Sequence, residues 1–362
     1  MGLKTNSFIG NRLYSQRIIR EDNSTPELML AHLGAIQGQD YYGTKWAIGL
    51  RYQGSTETEI DSALFSGRII RTWLFRGTLH FTTSEFARQV IPLIAPRLIK
   101  GAAGRNRQLG LDESIFKNAM RRIGEELECH GALTRENVYA LLNRMGISSE
   151  GQRGYHILWR AALEGLICCG PNKEKEQTFV LLPHDASRNS SMGQEELISQ
   201  LLLTYFRSRG PASLQDFLWW SGMRATDVRP AVEGVRSRLD CVIISGVEYF
   251  MVQPQNGYTP ENERAFLLPG FDEYLLGYKD RSAVLDAEFA PRICPGGNGM
   301  FLPTLVLNGR VCGVWKRTLR KKEMLVEIQS FHKLSRGDRQ RIAEAVFDFE
   351  AFLSRPARIE YV

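Results

Sequence analysis

Cysteine is sparse and poorly spaced for structural work. The six cysteines fall at 129, 168, 169, 241, 294 and 312. No two form a Cys-x-x-Cys pair, and the adjacent Cys168 and Cys169 suit neither a zinc knuckle nor an ordinary disulfide. Free thiols in a reducing cytosol are the expectation. The six histidines are scattered and no His-Glu-x-x-His run occurs, so no metal and no other cofactor is expected. Long hydrophobic runs are missing too. A run such as 197–203 (LISQLLL) falls far short of the ~20 residues that cross a bilayer. The first residues, MGLKTNSFIGNRLYSQR, have no apolar signal core and match a myristoylation pattern only loosely. A cytoplasmic protein with no membrane partner is expected.

What is present is ordinary in amount and uneven in distribution. The 362 residues are 43% hydrophobic and 24% charged, which excludes a disordered chain, a collagen and a disulfide miniprotein. At roughly 100–200 residues per domain the length allows two to four domains. Lys and Arg number 46 against 40 Asp and Glu, a net charge of +6. Residues 1–110 hold 14 basic and 8 acidic side chains, and residues 111–362 hold 32 of each. The whole excess therefore lies in the first third. There Arg88, Arg97, Lys100, Arg105 and Arg107 have no acid among them. A second acid-free stretch, 289–322, ends in Lys316, Arg317, Arg320, Lys321 and Lys322. A single block of this kind reads most simply as a solvated face. Two blocks in different domains point to a shared polyanion surface.

The order of elements repeats. Residues 26–35, 41–51 and 55–65 read as helices, with Ser24 and Thr25 capping before Pro26. The segment GRIIRTWLFRGTLHFTTS then reads as a β-hairpin. Helices at 113–130, 134–145 and 153–166 precede strands at 166–169 and 179–182. Helices at 195–208, 213–221 and 226–238 precede strands at 241–245 and 249–252. Three helices and a hairpin are the pattern of a winged helix. The fold class expected is α+β, with three tandem winged-helix units at 1–110, 111–190 and 191–257. The remaining residues, 258–362, are rich in strand-like runs, including Tyr274–Leu276, and Asn308-Gly309 marks a hairpin. A small β-barrel or a curled sheet, with a closing helix over 335–353, is expected there, with a last strand at 358–362. Winged helices with basic faces suit duplex DNA. Many others mediate protein contacts only.

The segment that suggests chemistry is Leu33-Gly-Ala-Ile-Gln-Gly-Gln-Asp40. If Ile36–Gln39 is extended, the side chains of Gln37 and Gln39 share one side, because strand side chains alternate. Two amides with Asp40 next in line could grip a water or a base edge. Taken alone, two glutamines near a helix end have a capping or loop role as the simpler reading.

Four runs together carry more weight: AHLGAIQGQDYYGTKWAIGLR, GRIIRTWLFRGTLHFTT, LLPGFDEYLLGYKDRS and FLPTLVLNGRVCGVWKR. They resemble the AlkZ-type winged-helix DNA glycosylases, the family that includes the azinomycin-resistance enzyme. RGTLH and FDEYLLGY-KDR are the most specific pieces, and the likeness covers most of the chain. The resemblance implies three winged helices and a β-barrel in a C-shaped body with a basic concave face. It implies excision of N7-alkylated purines by a monofunctional glycosylase, with unhooking of interstrand crosslinks in some members. It places the catalytic pair on Gln37 and Gln39. The residue between them is usually aliphatic in the family and is Gly38 here, which loosens the backbone and removes a packing anchor. A related branch has aspartate in place of the second glutamine, whereas this chain keeps glutamine.

An amide is no general base. An N7-alkylated purine, however, is already cationic and leaves without an acid. What remains is to place a water and to stabilise an oxocarbenium-like sugar, which glutamine carbonyls can do. Asp40 is the second candidate, as base or electrostatic support, against a plain capping role. DNA contacts are expected from Lys45, Arg51, Arg76, His80, Arg105, Arg107, Lys316, Arg317, Arg320, Lys321 and Lys322. His80 reads equally well as a packed core histidine. Trp73, Tyr41 and Tyr42 read as core before they read as stacking groups. Asp272, Glu273 and Asp280 are expected to be structural, pairing with Lys279 or Arg281. The partner is alkylated or crosslinked double-stranded DNA, with a nucleoid location when bound, and the chain is expected to act as a monomer. The alternatives are a non-catalytic DNA-binding regulator, which Gly38 favours, and an interaction scaffold.

Overall fold

The computed structural model describes residues 5–19, 24–173, 176–183, 192–252 and 264–362. The first four residues and the expected domain junctions at 190/191 and 257/258 lie outside the described residues. The chain opens with α1 (Thr5–Ser15), α2 (Pro26–Leu33), β1 (Ala35–Gln37), α3 (Tyr41–Gly49), α4 (Glu57–Phe65), β2 (Ile70–Trp73) and β3 (Leu79–Thr82). It continues with α5 (Ser84–Gln108), α6 (Glu113–His130), β4 (Leu133–Thr134), α7 (Arg135–Arg144), α8 (Arg153–Leu163), β5 (Ile167–Cys169) and β6 (Thr178–Leu181). Next come α9 (Gln194–Arg209), α10 (Leu214–Ser221), α11 (Ala225–Val235), β7 (Asp240–Ile244) and β8 (Val247–Met251). The last part holds β9 (Ala265–Leu268), α12 (Glu273–Leu276), α13 (Ala290–Ile293), β10 (Thr304–Leu307), β11 (Arg310–Leu319), β12 (Met324–Ser330), α14 (Arg336–Leu353) and β13 (Ala357–Tyr361).

These elements form two compact units. Residues 61–198 make one of them. Its strands run in the order β3-β2-β5-β6-β4, antiparallel throughout. Helix α6 presents Phe116, Ala119, Ile123 and Leu127 to its core at helical spacing. Trp73 is buried there, stacked on Phe179. Helix α5 was not legible as a helix in the sequence, because Pro92 and Pro96 interrupt it. The two prolines lie four residues apart on an exposed face, where each lost backbone donor costs least.

Residues 1–60 and 199–362 make the other unit. Its larger sheet has the order β13-β12-β11-β10-β9. The β10–β11 hairpin turns at Asn308 (φ 51°) and Gly309 (φ 77°), the paired positive angles of a type I′ turn. A side chain at Gly309 would run into Ile9. Strand β13 lies parallel to β12, an arrangement that needs a crossover, and α14 supplies it. The expected barrel is corrected here. Closure requires β9 and β13 to pair, and among the described residues they are the two outer strands of an open sheet. Tyr274–Leu276, read as a strand, is part of helix α12. The Asp272 carboxylate accepts from Tyr274 N at 2.9 Å and starts a helical turn instead.

Candidate active site

The Gln37–Gln39 segment is confined between a helix stop and a helix start. Gly34 ends α2 with φ 77°, its N–H bonded to the Leu30 carbonyl at 2.7 Å. Asp40 is the N-cap of α3, its carboxylate accepting from Gly43 N at 3.0 Å. That leaves room for the three residues of β1 and a short bend. Gln37 is buried, with 8% of its surface exposed, whereas Gln39 is exposed. Their amides meet: Gln37 Nε2 donates to Gln39 Oε1 at 2.5 Å. Gly38 between them is buried.

The backbone under Gln37 is gripped from both sides. Its N–H donates to Glu273 Oε1 at 3.1 Å, and its carbonyl accepts from Thr44 Oγ1 at 3.0 Å. The other Glu273 oxygen accepts from Arg209 Nε (3.0 Å) and Nη2 (2.7 Å) and from Trp220 Nε1 (3.0 Å). Arg209 in turn donates to the carbonyls of Leu33 and Ala35, both at 2.8 Å, and to Ser208 Oγ. All five guanidinium donors are thus used, and the pair is buried, Arg209 at 0% and Glu273 at 2% side-chain exposure. One ion pair fixes residues 33, 35 and 37 together.

The neighbouring carboxylate holds the other end of α3. Asp272 binds Arg51 through both oxygens, at 2.8 and 2.9 Å. Arg51 also donates to the Ala47 and Gln16 carbonyls. The chain reaches this arrangement through a left-handed Phe271 (φ 63°), a conformation that costs a bulky residue roughly 1–2 kcal/mol. The FDE run is therefore a clamp: Asp272 grips the end of α3 and Glu273 grips β1. Neither pairs with Lys279 or Arg281. Asp280 accepts from Ser282 N.

The remaining sequence candidates are distributed as follows. Asp40 caps α3. Lys45 is buried and paired with Glu57 at 2.7 Å, and Arg51 is buried in the ion pair just described, so neither presents its charge at the surface. Arg76 sits half-buried in the β2–β3 turn with φ 56°. His80 is fully buried on β3, with Nδ1 2.8 Å from the Thr78 carbonyl and its ring edge-on to Phe75. Arg105 and Arg107 are exposed on the last turns of α5, and Arg105 bonds Gln108 and Gln152. Lys316, Arg320, Lys321 and Lys322 are exposed along and beyond β11, Arg317 is half-buried over the Phe349 ring, and Arg320 pairs with Glu323. Tyr42 is exposed. The structure thus joins Gln37, Gln39 and Asp40 in one segment, and Lys316 and Arg317 line one pocket with Asp40.

Sequence reasoning missed Arg209, Trp220 and Thr44. Thr44 was within reach as a β-branched residue in the first turn of α3. Arg209 and Trp220 stand 64 and 53 residues from Glu273, and no local pattern links them. All six cysteines are free thiols, and burial pushes Cys169 up to about 11. Among the described residues no cluster of His, Cys, Asp and Glu could hold a metal, and no helix is long and apolar enough to cross a membrane.

Comparison with known proteins gives the family and the fold. A family model described as "DNA glycosylase AlkZ-like" matches residues 30–352. The interstrand DNA cross-link repair glycosylase of Streptomyces sahachiroi is 24% identical over 321 residues, covering 83% of this chain and 85% of the relative. The solved structure of the S. sahachiroi DNA glycosylase AlkZ superposes with a TM-score of 0.82 at 20% identity, over 99% of this chain and all of that one, so the two share a fold.

Proposed function

Since the chain belongs to the AlkZ-like DNA glycosylase family, we propose that it hydrolyses the N-glycosidic bond of N7-alkylated purines in duplex DNA. We extend the proposal to interstrand crosslinks, the substrate in the name of its Streptomyces relative. The observation that carries the reading is the joined amide pair, one member anchored in the protein and the other at the surface.

The chemistry follows from charge. The alkylated base departs as a neutral molecule, and positive charge moves onto the sugar. A carboxamide oxygen is a partial negative charge that needs no counter-ion, so it favours that cation and accepts a proton bond from the attacking water. Fixing the water and the amides in advance can lower the barrier by several kcal/mol. Gln37 is the anchored member and Gln39 the member that meets substrate. Asp40 is occupied as a cap and supports the pair electrostatically at most. Lys45, the lysine next in sequence, is tied to Glu57, which supports direct hydrolysis by water, a monofunctional mechanism without a Schiff base. Arg105, Arg107, Lys316, Arg320, Lys321 and Lys322 would contact phosphates. We read the three runs α2–β3, α6–β6 and α9–β8 as winged-helix units, and the enzyme as a monomer. The test is base release from a duplex carrying N7-methylguanine, scored as alkali-labile strand cleavage. Release by the unaltered protein, lost when Gln37→Ala and Gln39→Ala are combined, supports the reading. Full release by the double variant overturns it.

A further inference from the structure

From Leu33 to Tyr52 every residue is buried or half-buried except two, Gln39 and Tyr42. Gln39 is the outer member of the amide pair. Tyr42 follows three residues later in the first turn of α3, with 49% of its surface exposed, against the core reading its sequence context favours. The turn that carries it is held firmly. The Asp40 carboxylate accepts from Gly43 N, and the Thr44 hydroxyl donates to the Asp40 carbonyl at 2.6 Å. The Tyr41 ring meets the Tyr42 ring edge-on, with centroids 5.4 Å apart. Lys45 Nζ lies 5.2 Å from the Tyr42 ring centroid and Arg317 Cζ 6.0 Å from it, and Arg317 is itself seated over Phe349. Lys316, beside Arg317 on β11, is exposed.

A half-exposed ring among cations is the combination on which nucleic-acid bases stack while phosphates meet the charges. A tyrosine offers that face with only two side-chain torsions to order. The spacing suits one base step. Three residues of chain span at most about 11 Å, and successive bases of one strand are about 3.4 Å apart. With Gln39 at the sugar of the damaged nucleotide, the Tyr42 ring reaches the base next to it. When a nucleotide leaves the stack, the face of that neighbour is uncovered, at a cost in free energy. We propose that Tyr42 is the stacking residue of this site: its ring covers the undamaged base beside the gap that the damaged nucleotide leaves. The proposal rests on the reading of the amide pair as the reacting site. It adds that the opened duplex is held by a contact to undamaged DNA, made by a residue outside the amide pair.

The experiment measures binding of the full chain to two duplexes by fluorescence anisotropy. One is intact. In the other a tetrahydrofuran abasic analogue replaces one nucleotide, so the neighbouring base face is already open. Neither can be hydrolysed, and binding is read apart from reaction. The unaltered protein should bind the abasic duplex at least about fivefold tighter than the intact one. Tyr42→Ala should remove most of that preference and leave affinity for the intact duplex within about twofold. Tyr42→Phe, which keeps the ring, should keep the preference. Equal affinity of the unaltered protein for the two duplexes overturns the proposal. So does an undiminished preference in Tyr42→Ala, an equal loss on both duplexes, which a structural role would produce, or loss of the preference in Tyr42→Phe. Base release from N7-methylguanine duplex by the unaltered protein, run in parallel, separates the two readings. Release without a Tyr42-dependent preference removes the stacking residue and leaves the reaction. A Tyr42-dependent preference without release does the reverse.

Discussion

A carboxamide carries no charge to hold it in place, so its position depends on the backbone beneath it. For Gln37 that backbone is set by Glu273, and Glu273 by Arg209. Removing the carboxylate leaves a fully buried guanidinium without its counter-charge. Glu273→Ala should therefore lower unfolding free energy by about 3–5 kcal/mol, read from the denaturant midpoint. Glu273→Gln keeps an oxygen for Gln37 N and should retain more base release than alanine at equal fold content. A second residue-scale prediction concerns His32, whose Nε2 lies 2.7 Å from the Ser15 carbonyl. Burial, with Arg17, Arg207 and Arg209 adding to it against the raising effect of that carbonyl, pushes its pKa down from 6.5 to about 4. The folded protein thus holds the imidazole neutral where the unfolded chain protonates it. The His32 contribution is complete above pH 6.5 and is lost as pH falls toward 4, at no more than about 1.4 kcal/mol per pH unit. Melting temperatures across that window should fall less steeply for His32→Gln. At this scale the sequence reached the two glutamines through their alternation and their surroundings. It could not reach their anchors, because a buried arginine and a buried glutamate 64 residues apart look like any surface pair.

At the scale of elements, most of the fold was legible. Helices α6 and α7 advertise themselves through their caps, Asp112 and Thr134, helix α8 through its apolar spacing, and the Asn308-Gly309 turn through its chemistry. The failures have physical causes. In α12 a single carboxylate cap overrode a strand-like composition. The barrel was inferred from strand number, but closure depends on which strands lie at the edges, and α14 sends β13 to an edge parallel to β12. The β11–β12 connection is the element whose function is easiest to test. Lys321 and Lys322 are exposed there, with no ion pair among the described residues. Lys321→Ala with Lys322→Ala should weaken binding to undamaged duplex and flatten the dependence of log affinity on log salt by up to about 0.9 per lost phosphate contact. An unchanged slope would remove this hairpin from the DNA interface.

For the whole molecule, the charge excess is shared more evenly than its position in the sequence suggests. Residues 61–198 hold 18 basic and 15 acidic side chains, and the other unit holds 28 and 25, so each carries +3. The excess of the first third lies wholly in residues 61–110, with 8 basic and 2 acidic side chains against 6 of each in residues 1–60; residues 111–198, with 10 and 13, offset part of it, and residues 199–362, with 22 and 19, supply the excess of the other unit. Duplex affinity should then come from cationic side chains in both units, and the neutral amide pair should add little to it. A Gln37→Ala, Gln39→Ala double variant should bind undamaged duplex within about twofold of the unaltered protein, with the same salt slope. Its base release from N7-methylguanine duplex should fall at least about 100-fold. Fluorescence anisotropy over a salt series, beside single-turnover release at saturating protein, measures both on one preparation. If affinity and release fall together, the glutamines act by holding DNA, and the catalytic role argued for them is lost.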